Sequence, residues 1–260
     1  MFPELVAEGL SDLSTRTIRE AVETRVDRSR TAGAASGANP TSVQINGFSV
    51  LLCAAPDNAT FANILSADFM SCLEVPDGAD AMDIAGRLAE LIDQGKWFTS
   101  VSCRRIFKTA FVAQLCGRIA AEDSLGDGEC DLMRTAIDEA LSNAVIHGNL
   151  ELQSAHTITI ADFADFYAQV DERIAMSEYG NRRITVQTWR DETGRWVSIA
   201  DEGSGYEPRQ DRRDPMAVAH PDRTHERRRN GRGMEIIESL SREFHTDLGG
   251  RCISMRFGDA

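Results

Sequence analysis

Positive charge is scarce in this sequence. Its 28 Lys and Arg residues stand against 41 Asp and Glu residues, so the formal net charge at pH 7 is −13. Proteins that wrap a nucleic-acid backbone need an excess of Lys and Arg to displace its counterions. We therefore expect no nucleic-acid partner.

Long apolar runs and closely spaced cysteine pairs are missing as well. No segment approaches the roughly 20 apolar residues of a membrane-spanning helix, and the first residues lack the basic and then apolar run of an export signal. We therefore expect a cytoplasmic protein without a membrane anchor. The six cysteines form no Cys-x-x-Cys pair, which predicts neither a zinc site nor a disulfide framework. We interpret them as small buried hydrophobic residues.

The first 95 residues contain no motif that indicates a chemistry. Residues 4–28 place apolar side chains at roughly helical spacing and are predicted to form a helix. Residues 29–42 are rich in Gly, Ala and Ser, a composition typical of a linker. We interpret residues 1–95 as a separate region of unknown role that includes a small α/β segment.

That α/β segment begins with a hairpin signal. Strand-like runs at 43–45 and 48–54 flank Asn46 and Gly47, a pair that favours a tight turn between two strands. A helix is predicted over 79–94, where apolar residues recur at helical spacing.

From residue 96 onward the sequence alternates between helical and strand-like patterns. Helices are predicted over 104–121, 129–147, 162–176 and from about 233. Strands are predicted over 97–103, 183–189, 196–200, 244–248 and 252–257. Helices against one face of a mostly antiparallel sheet make a two-layer α/β sandwich, which is the fold class we predict for a domain over 96–260.

The first chemical motif is the sequence DEALSNAVIHGN at residues 138–149. Glu139 and Asn143 are four residues apart, so on a helix a carboxylate and an amide oxygen lie on the same face. Taken alone, this spacing also fits the solvated polar edge of an amphipathic helix.

The second motif is DEGSG at residues 201–205, directly after the strand predicted over 196–200. The Asp201 carboxylate can accept a hydrogen bond from an exocyclic amine, and Gly203 and Gly205 allow the backbone to turn sharply beside a flat ring. These features suit adenine. A plain turn with no ligand has the same composition.

The third motif is NGRGMEII at residues 230–237, in which glycines lead directly into a helix. Backbone N–H groups at a helix N-terminus are unsatisfied and lie at the positive end of the helix dipole, so they suit phosphate oxygens. Arg232 can add a charge-assisted contact. A glycine-rich helix start without a ligand is the alternative.

Together and in this order, the three motifs resemble the N box, G1 box and G2 box of the GHKL ATPase superfamily, which has the Bergerat fold. The resemblance covers about residues 97–260. Because the short helix of the first motif is followed immediately by His147, Gly148 and Asn149, the resemblance is closest to the anti-sigma-factor serine/threonine kinases.

The resemblance implies ATP and Mg²⁺ as ligands and assigns a role to each matching residue. Glu139 would be the general base, Asn143 would bind Mg²⁺, and Asp201 would bind the adenine amine. The remaining nucleotide contacts implied by the resemblance are His147, Gly203, Gly205, Gly231, Arg232, Gly233 and Met234. A magnesium ion suits this set because it tolerates one protein oxygen when phosphates and water complete its shell.

The segment between the second and third motifs occupies the place of the family's ATP lid. Within 206–230 it contains seven arginines, at positions 209, 212, 213, 223, 227, 228 and 229. Such a local reversal of sign in an acidic protein favours closure over a triphosphate. Alternatively, the arginines pair with the five acidic residues of the same segment in a solvated loop.

The resemblance implies a serine/threonine kinase that phosphorylates a small antagonist protein and captures a sigma factor in partner-switching signalling. A sensor histidine kinase is not expected, since the first histidine of the chain is His147, inside the first motif. Members of the superfamily with a transducer domain after the third motif are not expected either.

A non-catalytic module, in which the nucleotide stabilises a surface that captures a partner, is the alternative function. Two departures from the minimal family pattern keep it open: residues 1–95 and the insert at 151–181. Either can be a regulatory or dimerising addition, so a homodimer also stays open.

Overall fold

The structure is a computed structural model that describes residues 5–8, 50–54, 71–76, 79–94, 96–106, 110–153, 159–205 and 232–258. The chain divides into two compact units, the first made of residues 1–101 with 187–189 and the second of 102–186 with 190–260. The domain boundary predicted after residue 95 stays a prediction. In the described part of the chain, no helix is both long and apolar enough to cross a membrane.

Four parallel strands in chain order build the first unit. They are Leu5–Glu8 (β1), Val50–Ala54 (β2), Ser71–Val75 (β3) and Trp97–Ser102 (β4). Helix Ala81–Asp93 (α1) connects β3 to β4, as a parallel connection requires.

Helix α1 forms and packs for reasons visible in its sequence. The Asp80 carboxylate accepts hydrogen bonds from the N–H groups of Met82 (2.8 Å) and Asp83 (3.3 Å), which satisfies free donors of the first turn. The apolar side of the helix packs against strand residues in one core cluster. Its members are Val50, Leu52, Leu73, Val75, Ile84, Ala85, Leu88, Leu91, Ile92 and Phe98.

The helix predicted over 79–94 and the strand predicted over 97–103 are confirmed by α1 and β4. The helix predicted over 4–28 is wrong in its first turn, because Leu5–Glu8 pairs with β2 along its whole length and pairing outweighs local spacing. The hairpin prediction is wrong for β2, which has parallel neighbours on both edges. The linker at 29–42 lies outside the described residues.

The second unit contains most of the helices. They are Cys103–Ile106 (α2), Phe111–Asp123 (α3), Asp127–Ser142 (α4), the π-helix Asn143–Asn149, Ile160–Ala175 (α5), Ser177–Gly180 (α6) and Arg232–Leu240 (α7). Its strands are Arg183–Asp191 (β5), Gly194–Asp201 (β6), Glu243–Asp247 (β7) and Cys252–Phe257 (β8). They lie in the order β5-β6-β8-β7, and β8 is antiparallel to both β6 and β7.

Sheet and helices of this unit face each other across one core. In β8, buried and half-buried residues alternate, as expected for a strand with one covered face. In α4 the buried residues Met133, Ala136, Ile137 and Ala140 recur at helical spacing, and α4 packs on β6 and α7. The two-layer α/β sandwich predicted from the sequence is confirmed.

Two helix predictions in this unit need correction. The helix predicted over 104–121 is divided into α2 and α3, and residues 107–109 between them lie outside the described part. The helix predicted over 129–147 changes after Ser142 into a π-helix, in which the Leu150 N–H donates to the carbonyl of Val145, five residues earlier. Such π-helical turns are frequent at functional sites.

The interpretation of the cysteines is confirmed in part. Cys72, Cys103 and Cys116 are buried, Cys130 and Cys252 are half-buried, and all five are free. Burial raises the pKa of the Cys103 and Cys116 thiols to about 12, which keeps them in the protonated, apolar form.

Candidate functional site

The first turn of α7 lies directly against the polar edge of α4. A Cβ atom added at Gly233 would overlap the Glu139 carboxylate and lie 3.0 Å from Nδ2 of Asn143. The neighbouring acid, Asp138, instead pairs with Arg134 at 3.8 Å on the exposed side of the helix. The structure therefore brings the first and third motifs together through Glu139 and Asn143.

The third motif is described only in part. Gly231 and the side chain of Arg232 lie outside the described residues, while Met234 is half-buried in the first turn of α7. Because the first N–H groups of a helix lack partners within it, the start of α7 provides donors beside the two oxygen-bearing side chains of α4.

Asp201, at the end of β6, meets the far end of the π-helix. A Cβ added at Gly148 would overlap the Asp201 carboxylate, and one added at Gly203 would overlap the carbonyl oxygen of Gly148. The Gly203 N–H donates to Oδ1 of Asp201 at 2.8 Å. Side chains at either glycine would push the second motif away from the π-helix.

The buried side chain of Asn149 fixes this junction. Its Oδ1 accepts from the Glu202 N–H at 2.9 Å, and its Nδ2 donates to the Arg183 carbonyl at 3.0 Å. The Arg183 N–H in turn donates to Oε2 of Glu202 at 2.8 Å. The end of the π-helix, the start of β5 and the loop after β6 are therefore joined by one side chain.

Burial is the main influence on the Asp201 carboxyl group, and it raises the pKa to about 6. The Gly203 N–H and the guanidinium groups of Arg251 and Arg182 oppose this rise, while Glu202 adds to it. At neutral pH the group is consequently ionised and can only accept hydrogen bonds.

Gly205 closes the second motif in a conformation that favours glycine. Its φ is +85°, and a Cβ there would lie 2.5 Å from the carbonyl oxygen of Gly249 in the turn before β8. The Asp201 N–H also donates to the nearby Arg251 carbonyl at 2.9 Å. The loop after β6 is therefore held from the sheet side as well.

His147 belongs to the π-helix, and its ring nitrogen Nδ1 donates to the Leu152 carbonyl at 2.6 Å. Since a carbonyl can only accept, this bond places a proton on Nδ1. The nucleotide contact that the resemblance implies for His147 stays a prediction, as do the roles of the other predicted site residues.

Two residues of the insert, together with Arg182 directly after it, support the site, and the sequence analysis assigned them no role. Arg173 donates to the Leu150 carbonyl at 3.2 Å and Arg182 to the Asn149 carbonyl at 2.8 Å. Both guanidinium groups lie over the ring of Tyr179, at 4.3 and 4.8 Å from its centroid. This Arg-Tyr-Arg stack binds the carbonyls at the end of the π-helix.

Comparison with known proteins identifies the family of the chain. Residues 108–257 match the model of the histidine kinase-like ATPase domain. The chain belongs to this family. The match covers more than half of the chain and includes all three motifs, whereas no curated protein sequence matches the chain.

Membership in the histidine kinase-like ATPase domain family implies ATP binding, and the residues present fit a magnesium nucleotide. Asn143 and Glu139 offer hard oxygen donors of the kind that Mg²⁺ prefers. Gly148, Gly203 and Gly233 allow the three motifs to approach one another closely, because a side chain at any of these positions would overlap a neighbouring residue of the site. Within the described ranges no cluster of three His, Cys, Asp or Glu could hold a metal ion, so phosphate and water oxygens would complete the shell.

Proposed function

We propose that this protein is an ATP-dependent regulatory serine/threonine kinase of the anti-sigma-factor type. It phosphorylates a small antagonist protein and sequesters a sigma factor in partner-switching signalling. The observation that carries the proposal is the meeting of Glu139 and Asn143 with the first turn of α7. The three groups that the proposal uses as base, metal ligand and phosphate-binding helix start therefore lie close to one another.

Each side chain has one task in this proposal. The Asn143 amide oxygen holds the metal, the N–H groups at the start of α7 bind phosphate oxygens, and the Asp201 carboxylate accepts from the adenine amine. Glu139 accepts the proton of the attacking serine or threonine hydroxyl. Bound Mg·ATP supplies the phosphoryl group, and the protein contributes chiefly by positioning.

A non-catalytic module is the second candidate, and the position of Glu139 favours it. The carboxylate lies so close to Gly233 that a side chain there would overlap it. Glu139 can therefore serve to hold α7 on α4 without taking part in chemistry. In that case, nucleotide binding at Asn143 and Asp201 stabilises a surface that captures the partner.

Substitutions of Glu139 and Asn143 test the two candidates. Asn143→Ala should weaken Mg·ATP binding by roughly 5- to 100-fold, because it removes the metal-binding oxygen. Glu139→Gln keeps the size of the side chain and should bind nearly as well as the parent, but it should transfer phosphate roughly 10²- to 10⁴-fold more slowly. Affinity is measured by calorimetry. Transfer is measured with radiolabelled ATP and the partner captured from the native cell.

Asp138→Asn is the matched control, since it also removes a carboxylate from α4 but on the side that faces Arg134. It should leave both affinity and transfer at the parent level. If Glu139→Gln transfers phosphate as fast as the parent, Glu139 is not the base. If the parent binds Mg·ATP but transfers none, the non-catalytic module is the correct function.

A further inference from the structure

Helix α5, in the insert after the first motif, is amphipathic along its whole length but is covered only in its second half. Val170 and Ile174 are 1% and 3% exposed, whereas Ile160, Phe163 and Tyr167 in the first half are 91%, 52% and 53% exposed. All five recur at helical spacing on one side of the helix. The apolar stripe therefore continues past the part that the second unit covers.

The exposed half of the stripe forms a compact group of aromatic rings. The Phe163 and Tyr167 rings stack with centroids 6.2 Å apart, and the Phe166 ring meets Tyr167 edge-on at 5.8 Å. We refer to Ile160, Phe163, Phe166 and Tyr167 as the aromatic face. Single exposed apolar residues are ordinary on protein surfaces, but a contiguous group of this kind marks an interaction site.

The start of α5 is well defined, so the aromatic face is presented on a formed helix. Oγ1 of Thr159 accepts from the Asp162 N–H at 3.2 Å, and the Thr159 N–H donates to the Asp162 carboxylate at 2.8 Å. This reciprocal capping box stabilises the first turn. The exposure of Ile160 is therefore a property of a formed helix and not of a frayed helix end.

Acidic side chains border the aromatic face on both sides. Asp162 comes four residues before Phe166 and Asp171 four residues after Tyr167, so both lie next to the rings on the helix surface. Between 159 and 172 the charged residues are all acidic, namely Asp162, Asp165, Asp171 and Glu172. The next residue, Arg173, is held by the Leu150 carbonyl and the Tyr179 ring.

This charge pattern decides between the possible occupants of the face. A second copy of the chain would bring the same two bordering carboxylates, those of Asp162 and Asp171, to the contact, in a protein whose net charge is already −13. Like charges placed together in an interface disfavour association. A segment with an apolar stripe between Lys or Arg residues would cover the rings and pair with the bordering carboxylates.

We propose that the aromatic face of α5 is the docking site for a basic amphipathic segment of a partner protein. The surface is distinct from the nucleotide-binding residues, so this inference goes beyond the proposed function. It is tested on the full-length chain without nucleotide, and failure of ATP binding would leave its result intact.

The probe is a fluorescently labelled synthetic helix of leucine and lysine in an amphipathic order, measured by anisotropy at about physiological ionic strength, where distant charges are screened. The parent should bind it. Phe163→Ser combined with Tyr167→Ser should weaken binding about tenfold or more, because the substitutions remove most of the apolar contact. Met82→Ser on α1 is the matched control, since Met82 is 51% exposed, and it should bind like the parent.

A charge exchange keeps the test valid if the serine variant folds poorly. Asp171→Lys should weaken binding of the lysine peptide and strengthen binding of a peptide with glutamate at every lysine position, because Asp171 lies next to Tyr167 on the helix surface. A folding defect would weaken both. A scrambled lysine peptide without an amphipathic order should bind more weakly than the ordered one.

Three results would overturn the proposal. The first is equal binding of the lysine peptide to the parent and to the serine variant. The second is equal binding of the lysine and glutamate peptides to the parent. The third is a parent that sediments as a dimer and a serine variant that sediments as a monomer, since the face would then be an interface between two copies.

Discussion

Asp201 combines the role expected for an adenine-binding carboxylate with an environment that opposes its charge. Burial raises its pKa to about 6, above the ordinary value for Asp of about 3.9. The folded protein therefore keeps this proton at pH values where the unfolded chain has lost it. Any function that needs the ionised form weakens as the pH falls through about 6.

Affinity for Mg·ATP should therefore depend on pH through Asp201. In the proposed role the ionised carboxylate is a stronger acceptor for the adenine amine than the protonated carboxyl group, so affinity should fall by up to about tenfold between about pH 7.5 and about pH 5. In Asp201→Asn, affinity at about pH 7.5 should be roughly 5- to 100-fold lower than in the parent. Calorimetry at several pH values measures both effects.

The asparagine variant is also the control, because protonation of the nucleotide itself affects both proteins equally. Its affinity should change less with pH than that of the parent. Its melting temperature at about pH 7.5 should be no lower than that of the parent. The parent loses stability as the pH rises from about 4 to about 6, because the buried Asp201 carboxyl group becomes charged, whereas the amide stays neutral. Parallel pH profiles for the two proteins would remove Asp201 from the adenine site.

Single residues show clearly what the sequence could reveal. The side chains of Glu139 and Asn143 could be placed on one face because helical spacing is local. The structural roles of Gly148 and Asn149 could not be predicted, because they depend on the approach of the loop after β6. Asn149 and its partner Glu202 are 53 residues apart in the chain. The only available sequence signal for the role of Asn149 was its position directly after His147 and Gly148 at the end of a predicted helix.

At the scale of elements, the π-helix connects the two parts of the candidate site. Asn143 begins it beside Gly233, and Gly148 lies near its end beside Asp201. The Arg173-Tyr179-Arg182 stack binds the carbonyls at that end. The insert therefore acts as a support for the site as well as an addition to the family fold.

Removal of the Tyr179 ring should loosen this support. Tyr179→Leu keeps an apolar side chain but abolishes both cation–π contacts, which are worth about 0.5–2 kcal/mol each. We expect a lower melting temperature and a several-fold loss of Mg·ATP affinity. Both are measured on the purified chain, by calorimetry.

Tyr179→Phe is the matched variant because it keeps the aromatic ring under both guanidinium groups and removes only the hydroxyl group. It should retain the nucleotide affinity of the parent. If Tyr179→Leu lowers the melting temperature but leaves affinity unchanged at a temperature where it is folded, the stack is structural and does not position the site.

Element types were predictable where their patterns are local, as in α1, β5 and β6. The helix predicted over 4–28 failed at Leu5–Glu8 because β1 is defined by its parallel pairing with β2, about 45 residues later in the chain. The change from α-helix to π-helix after Ser142 has no comparable sequence pattern. It becomes visible only through hydrogen bonds such as that from Leu150 to Val145.

At the scale of the whole molecule, the two units have different sheet types. The first unit has parallel strands in chain order, and the second contains the antiparallel strands β6, β8 and β7. The antiparallel sheet of the second unit was predictable because its hairpin strands are adjacent in sequence and alternate in polarity. The parallel sheet of the first unit was not predictable, since parallel strands are joined by long connections and not by tight turns.

Every contact that defines the candidate site lies within the second unit. Saturating Mg·ATP should therefore protect this unit from unfolding and leave the first unit unchanged. At a nucleotide concentration 100 times the dissociation constant, the added stability is about 2.7 kcal/mol. Amides of α4, β6 and α7 that exchange through unfolding of the unit should accordingly exchange about 100-fold more slowly.

Hydrogen exchange followed by mass spectrometry makes this comparison within one sample. Peptides from α1, whose residues line the core of the first unit, are the internal reference and should exchange at the same rate with and without nucleotide. In Asn143→Ala, which loses the oxygen proposed to bind the metal, the protection of α4 and α7 should shrink at equal nucleotide concentration. Equal slowing of α1 and α4 in the parent would contradict the prediction, because it would mean that nucleotide binding stabilises both units together.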